Sequence, residues 1–386
     1  MTLLRWDFKL DAPVVGITLA STRGGEQVDV RTRGFYTSDD GPDLYTFLDS
    51  LYDGVLAHGV PLRPEQIQTV FLSITDGTNA TAVVNHPLTM KVLTKGAVQA
   101  GDPVHYDHLA DIVEARIPGY DLPDRGAIAY LFQHGWRRGF YFDFSSHRAD
   151  ATLNAPLGSV SALLGSLHTA LLMRDRVRMD PTVLQRMAAV GWFPFTRLSK
   201  KHLLELYLHF ENEWDPAEPV AAILDALAPE IVGIVAGWAS KPAFAPHMDV
   251  LTTAARLFEQ KEYLAAASTV MPKVEGVLRQ LYLGADGRPN APELRRHLVG
   301  RVRAAVDGYT ALLPEAFVQY LAQYYYAGFD LKSGVVPPSR HAFLHGVGPD
   351  EQLRDPTYSL RLFLTLDQVF FCVSRMRDVN DVETDA

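Results

Sequence analysis

Apolar residues recur with two different periods along this chain, and the change falls near residue 155. Before it, short apolar stretches alternate or run continuously over five to nine residues between turn-forming clusters, which is the signature of strands. Residues 14–19 and 28–36 predict a hairpin around Gly24-Gly25, residues 68–74 a third strand ended at Asp76-Gly77, residues 80–84 a fourth, and residues 139–144 an aromatic fifth. Leu44, Phe47, Leu48, Leu51 and Val55 carry helical spacing over 44–58, and a second helix is expected over 105–115. Residues 1–150 therefore read as a small α+β domain. After residue 155 the period is 3.6 throughout, with helices expected at 159–176, 181–190, 198–211, 217–237, 246–260, 263–283, 292–306, 311–327 and 357–375. Leu203, Leu206, Tyr207 and Phe210 form one apolar stripe, and Leu251, Ala254, Ala255 and Phe258 another. Glycine and proline punctuate the gaps, dividing this all-α part into a middle region, 155–240, and a C-terminal bundle, 245–378.

Composition narrows the class. A chain of 386 residues with 47% apolar and 21% charged positions is expected to be globular, with two or three domains. The single cysteine, Cys372, excludes an internal disulfide framework and sits among apolar neighbours as an inert buried thiol. The first residues lack the basic and apolar regions of a signal peptide. The apolar run 221–238 is interrupted by Asp225, Pro229 and Glu230, so no membrane span is expected, and a soluble cytoplasmic protein is the reading. The net charge of −9 argues against coating nucleic acid by bulk electrostatics. It leaves room for a local basic site, and Arg279, Arg288, Arg295, Arg296, Arg301 and Arg303 share one window opposed only by Asp286 and Glu293 until Asp307. The acidic tail 378–385 is expected to fray. No dinucleotide fingerprint, P-loop or nucleophile elbow is present.

Chemistry concentrates in Arg340-His341-Ala342-Phe343-Leu344-His345-Gly346. If this stretch is helical, His341 and His345 lie one turn apart. Arginine can grip two phosphate oxygens, and histidine transfers protons near neutral pH, which together suit phosphodiester cleavage. Two other readings stand beside it. The His341/His345 spacing could chelate zinc or nickel, although Ala342 occupies the place where a metalloprotease carries glutamate. The histidines could equally be structural, bonding backbone groups at a helix end. Glu275, on an otherwise apolar helix face, is expected to form an ion pair with Arg340 or Arg279 and so to orient the arginine. His105 and His108 read as solvated or capping, Trp136-Arg137-Arg138 as strand-edge packing more than a nucleic-acid surface, and the tyrosines at 320 and 324–326 as core and dimer surface.

The same residues carry a family likeness. Residues 246–376 resemble the HEPN family of small helical domains, whose signature is arginine, four to six residues, then histidine, often with a polar residue directly after the arginine. Arg340, His341 and His345 fit it, with Gly346 following, and the flanking helical text around Glu275, Phe317 and Asp367 is similar. Ser339 stands where the related core often has asparagine. The resemblance implies a HEPN-like bundle that homodimerises through its C-terminal helices and surrounds one cleft with two arginines and two histidines. Arg340 would clamp the phosphate, His345 would be the general acid or base, His341 would orient them, and no metal or cofactor would be needed. The implied activity is a metal-independent endoribonuclease acting on RNA, in a toxin or phage-defence role with an antitoxin or regulatory partner. The alternative is a non-catalytic RNA- or nucleotide-binding or dimerisation scaffold.

Overall fold

The computed structural model describes residues 3–18, 20–123, 126–145, 159–282, 289–330, 332, 336–347 and 350–376. Contacts divide the chain into two units, both discontinuous in sequence. The first comprises Met1–Lys91, Ile112–Arg174 and Val306–Tyr309, and the second Val92–Asp111, Asp175–Ala305 and Thr310–Ala386. A mixed α+β part is thus followed along the chain by a helical one.

The strands are β1 (Leu4–Lys9), β2 (Ile17–Thr18), β3 (Val30–Arg31), β4 (Arg33–Thr37), β5 (Val70–Thr75), β6 (Asn79–Val84), β7 (Thr89–Thr94), β8 (Leu109–Arg116), β9 (Ala127–His134) and β10 (Arg137–Asp143). Six of them form one sheet in the order β1-β6-β5-β9-β10-β4, antiparallel at every pairing. Alternation decides the two faces. Val70, Leu72 and Ile74 join Leu44, Phe47 and Leu51 of helix α1 (Pro42–Gly54) on one side. Phe71, Tyr130 and Phe132 join Leu164, Leu167 and Leu171 of α2 (Val160–Leu172) on the other. Because both faces are covered, a one-residue slip would exchange two packed side-chain sets at once. Gly165 marks the closest approach of α2 to β8, since a Cβ there would lie 2.8 Å from the Glu114 Cα.

Two expectations are corrected here. The hairpin around Gly24-Gly25 shrinks to two residues on each side, Ile17–Thr18 with Val30–Arg31, and β4 leaves it to pair with β10. The helix expected over 105–115 is instead a 3-10 turn, Tyr106–His108, followed by strand β8. Leu109 to Ile112 of that strand are buried in succession, so no period of two is visible in its sequence, and a short apolar run is then ambiguous. Strands β1, β7 and β9 had no clear sequence signal.

In the second part the helices follow the 3.6 period closely. After the short α3 (Arg174–Val177) come α4 (Pro181–Ala189), α5 (Lys200–Glu211), α6 (Ala217–Leu227), α7 (Ile231–Gly237), α8 (Met248–Glu259), α9 (Tyr263–Leu281), α10 (Ala291–Ala304), α11 (Pro314–Tyr320), α12 (Arg340–Leu344), α13 (Asp350–Leu353) and α14 (Pro356–Arg375). Side-chain caps start several of them: Ser199 for α5, Asn290 for α10, Ser339 for α12 and Asp355 for α14. The core is built on α9 and α14, with Val270, Met271, Val274 and Val277 on one and Leu360, Phe363, Leu366 and Phe371 on the other.

The run Ala217–Ser240, with a mean hydropathy of 1.8, is long and apolar enough to cross a membrane despite Asp225, Pro229 and Glu230. Those residues break its regularity rather than its hydropathy, for a 3-10 turn at Ala228–Glu230 separates α6 from α7. The helix expected over 311–327 is also divided. After α11 the chain takes a π turn, Leu321–Tyr325, in which the Tyr326 N–H donates to the Leu321 carbonyl at 2.8 Å. Tyr324, Tyr325 and Tyr326, at the end of this turn, are all buried.

Candidate active site

The motif begins at a capped helix end. Ser339, fully buried, accepts the Ala342 N–H on its Oγ and so starts α12 at Arg340. The helix lasts little more than a turn: His345 is its C-cap, with its N–H donating to the His341 carbonyl at 3.2 Å, and Gly346 follows in the left-handed region at φ 69°. His341 and His345 are therefore one turn apart, as their spacing predicts. His341 is half-buried, its ring 6.4 Å from that of Tyr326, whereas His345 is exposed beside Phe329, 5.5 Å away.

Arg340 reaches back to α9. Its Nε lies 3.0 Å from Glu275 Oε2, though out of line for a hydrogen bond, so the contact is an ion pair. The other carboxylate oxygen, Oε1, accepts from Arg279 Nε at 2.8 Å. Glu275 is only 6% exposed and is shared between the two arginines. Sequence left the choice between Arg279 and Arg340 open, and the carboxylate takes both. Among the described residues no hydrogen bond is made by the Arg340 Nη groups.

A third cation completes the cluster. Arg295, on α10, holds its guanidinium 5.5 Å from the Tyr326 ring centre, the π turn having brought that tyrosine to the same place. The Tyr326 phenol is buried without a hydrogen-bond partner, and its pKa is raised above the usual range by burial first and then by Glu275. Tyr325 donates to the Met271 carbonyl at 2.6 Å and is likewise pushed up by burial. Two guanidinium groups thus share the Glu275 carboxylate and a third lies over the Tyr326 ring, a set of three arginines and one acid in a chain whose net charge is −9. Such a surface attracts phosphate and supplies paired N–H donors.

The remaining singled-out residues lie elsewhere. Arg303 pairs with Glu315. Arg288 and Asp286 fall outside the described residues, as does the tail 378–385. His105 is the N-cap of the 3-10 turn that ends at His108, and its backbone N–H donates to His108 Nδ1 at 3.3 Å. Trp136 occupies the tip of the β9–β10 turn at 76% exposure, with the Arg137 guanidinium 5.3 Å from its ring, so it does not pack on a strand edge. Cys372 is buried, and burial pushes its thiol up to about 12.

Tyr326 and the π turn are the parts of this site that sequence reasoning passed over. Neither leaves a mark in the apolar period, since a run of bulky residues is also compatible with an α-helix covered on several sides, as Leu362, Phe363 and Leu364 of α14 are. In comparisons with known proteins, no family model, no curated protein and no solved structure matches this chain.

Proposed function

We propose that this chain is a metal-independent endoribonuclease acting as a homodimer through a composite arginine–histidine site of the HEPN type, in a toxin or phage-defence setting. One observation carries the reading. Arg340 is held through its Nε by Glu275, with both Nη groups left for a phosphate, on the same short helix as His341 and exposed His345. In the proposed reaction the RNA 2′-oxygen attacks the adjacent phosphorus and the 5′-oxygen leaves. His345 moves one of the two protons, the partner copy's histidine moves the other, and Arg340 stabilises the phosphorane charge. Glu275 positions Arg340 without touching substrate.

The excess of arginine around Glu275 also favours a second reading, a non-catalytic RNA- or nucleotide-binding module, because binding phosphate needs no histidine.

Cleavage of single-stranded RNA by the full chain separates them. Expected are products with 2′,3′-cyclic phosphate and 5′-hydroxyl ends, formed in the presence of EDTA. His345→Ala is expected to lose on the order of 10²–10⁴-fold in rate. Arg340→Lys should be nearly as damaging as Arg340→Ala, since a point charge cannot make the two-pronged contact. Loss of activity in EDTA with recovery in zinc would transfer the chemistry to a metal held by His341 and His345. RNA binding without cleavage by the folded protein would establish the binding module.

A further inference from the structure

A cleft lies within the second unit, formed where the loops flanking β7 and β8 meet the start of α5 and the end of α6. It has a volume of about 390 Å³, in the range of small-molecule sites, and is lined by Lys95, Asp107, His108, Arg197, His202 and Glu230 among others. Lys95 is the unusual member. Its Nζ donates to the Leu198 carbonyl at 2.7 Å, and among the described residues no carboxylate forms an ion pair with it.

The surroundings discourage an ammonium there. Arg197, which also bonds the Lys95 carbonyl, spends its own charge on Asp367 in a two-pronged contact at 2.8 and 2.9 Å. Arg176, 3% exposed, is held only by the carbonyls of Pro194 and Phe195 and has no carboxylate partner among the described residues. A half-buried amine beside a buried guanidinium that forms no ion pair among the described residues is driven toward its uncharged form. Burial, then Arg176, bring Lys95 down to about 7, with Arg197 adding to the effect and Asp107 and Asp367 opposing it. An uncharged lysine amine in a cleft is a nucleophile, whereas a paired surface ammonium is not.

We propose that the Lys95 cleft is a site for a small carbonyl compound, an aldehyde or keto acid, which Lys95 binds reversibly as an imine. The Nζ lone pair forms a bond to the carbonyl carbon, the carbonyl electron pair moves to oxygen, and the proton lost from nitrogen balances the one gained by oxygen. The carbinolamine then expels water as its nitrogen gives up the second proton, leaving a C=N bond. Hydrolysis reverses every step, and no oxidant or reductant takes part. His108 and His202 are the lining groups able to carry the protons. His108 accepts the His105 N–H on Nδ1 at 3.3 Å, which leaves its Nε2 as the protonated nitrogen when the ring is neutral. This site is independent of the arginine–histidine cluster, so failure of either proposal leaves the other standing.

The test uses the full chain with glyoxylate as the carbonyl probe and sodium cyanoborohydride to reduce any imine, followed by peptide mass spectrometry. At pH 7 Lys95 is expected to be alkylated at least tenfold faster than the exposed Lys91 and Lys201. Its rate should rise with pH to a plateau with a midpoint near 7. Lys95→Met, which removes the amine without adding a charge beside Arg176, should remove that adduct without unfolding the protein. Ala226→Trp, an exposed substitution at the cleft wall, should slow labelling of Lys95 while leaving Lys91 and Lys201 unchanged. Labelling of Lys95 no faster than of those two lysines would overturn the proposal. Labelling that ignores Ala226→Trp would overturn the cleft as the route to the amine.

Discussion

At the scale of single residues, burial of ionisable groups sets how this protein responds to pH. His168, 1% exposed on α2, has its Nδ1 2.7 Å from His134 Nε2 and its Nε2 2.9 Å from the Tyr130 hydroxyl, while the His86 ring stacks on Tyr130. The His134–His168 nitrogen pair holds one proton between its two facing atoms, so an extra proton would set two N–H groups face to face. Burial lowers the pKa of His86, His134 and His168, and in His168 the neighbouring His134 and His86 lower it further. The folded state then resists protonation that the unfolded chain accepts below about 6.5. The unfolded state binds more protons in that range, so the contribution of these three rings should be flat above about pH 6.5 and fall as pH drops below it. Urea midpoints at pH 7.5 and 5.0 measure this, and the loss between them should be smaller in His168→Gln than in the unaltered protein. An equal loss in the variant would mean that these rings already titrate in the folded state.

At the scale of elements, close approach matters as much as apolar burial. Gly165 lets α2 lie against β8, and a methyl group there would meet backbone atoms of Glu114, which cannot rotate away. Gly165→Ala should therefore cost about 1–3 kcal/mol by overpacking, despite the better helix propensity of alanine. A denaturation midpoint equal to or above that of the unaltered chain would contradict the close contact. The same distinction explains what could be read in advance. The amphipathic helices of the second half are legible because they bury one stripe, as Leu251, Ala254, Ala255 and Phe258 do on α8, and α14, buried almost all round, is legible by its length. Strand β8 was read as a helix because it is buried in a continuous run, and the π turn was hidden because its hydrogen bonds leave no mark on apolar period. Within the candidate site, Arg340, His341, His345 and Glu275 could be picked out by residue type and spacing. Arg295 and Tyr326 join them only through folding, since their places depend on α10 and on the extra residue of the π turn.

At the scale of the whole chain, the C-terminal helices take buried partners from outside residues 245–378. Asp367, 1% exposed on α14, is held by Arg197 and by the Trp238 indole N–H, and Gln368 accepts the Thr196 N–H. Arg375 pairs with the fully buried Asp111 at 3.1 Å. A fragment limited to residues 245–378 would leave both Asp367 and Arg375 without these partners, and each broken buried pair costs about 3–5 kcal/mol. Such a fragment should melt without a cooperative transition, whereas the full chain unfolds cooperatively; a sharply melting fragment would show that these pairs are dispensable. Asp111 also bears on the order of events during synthesis. Its partners Thr310, Ala311 and Arg375 follow it by 199, 200 and 264 residues. At about 5–20 residues per second, a ribosome needs roughly 13–53 seconds between making this carboxylate and making its arginine. Strand β8 must spend that interval with an unmatched acid in its midst, so the nascent chain has reason to keep it hydrated, and the second unit can close only after the last helix has emerged.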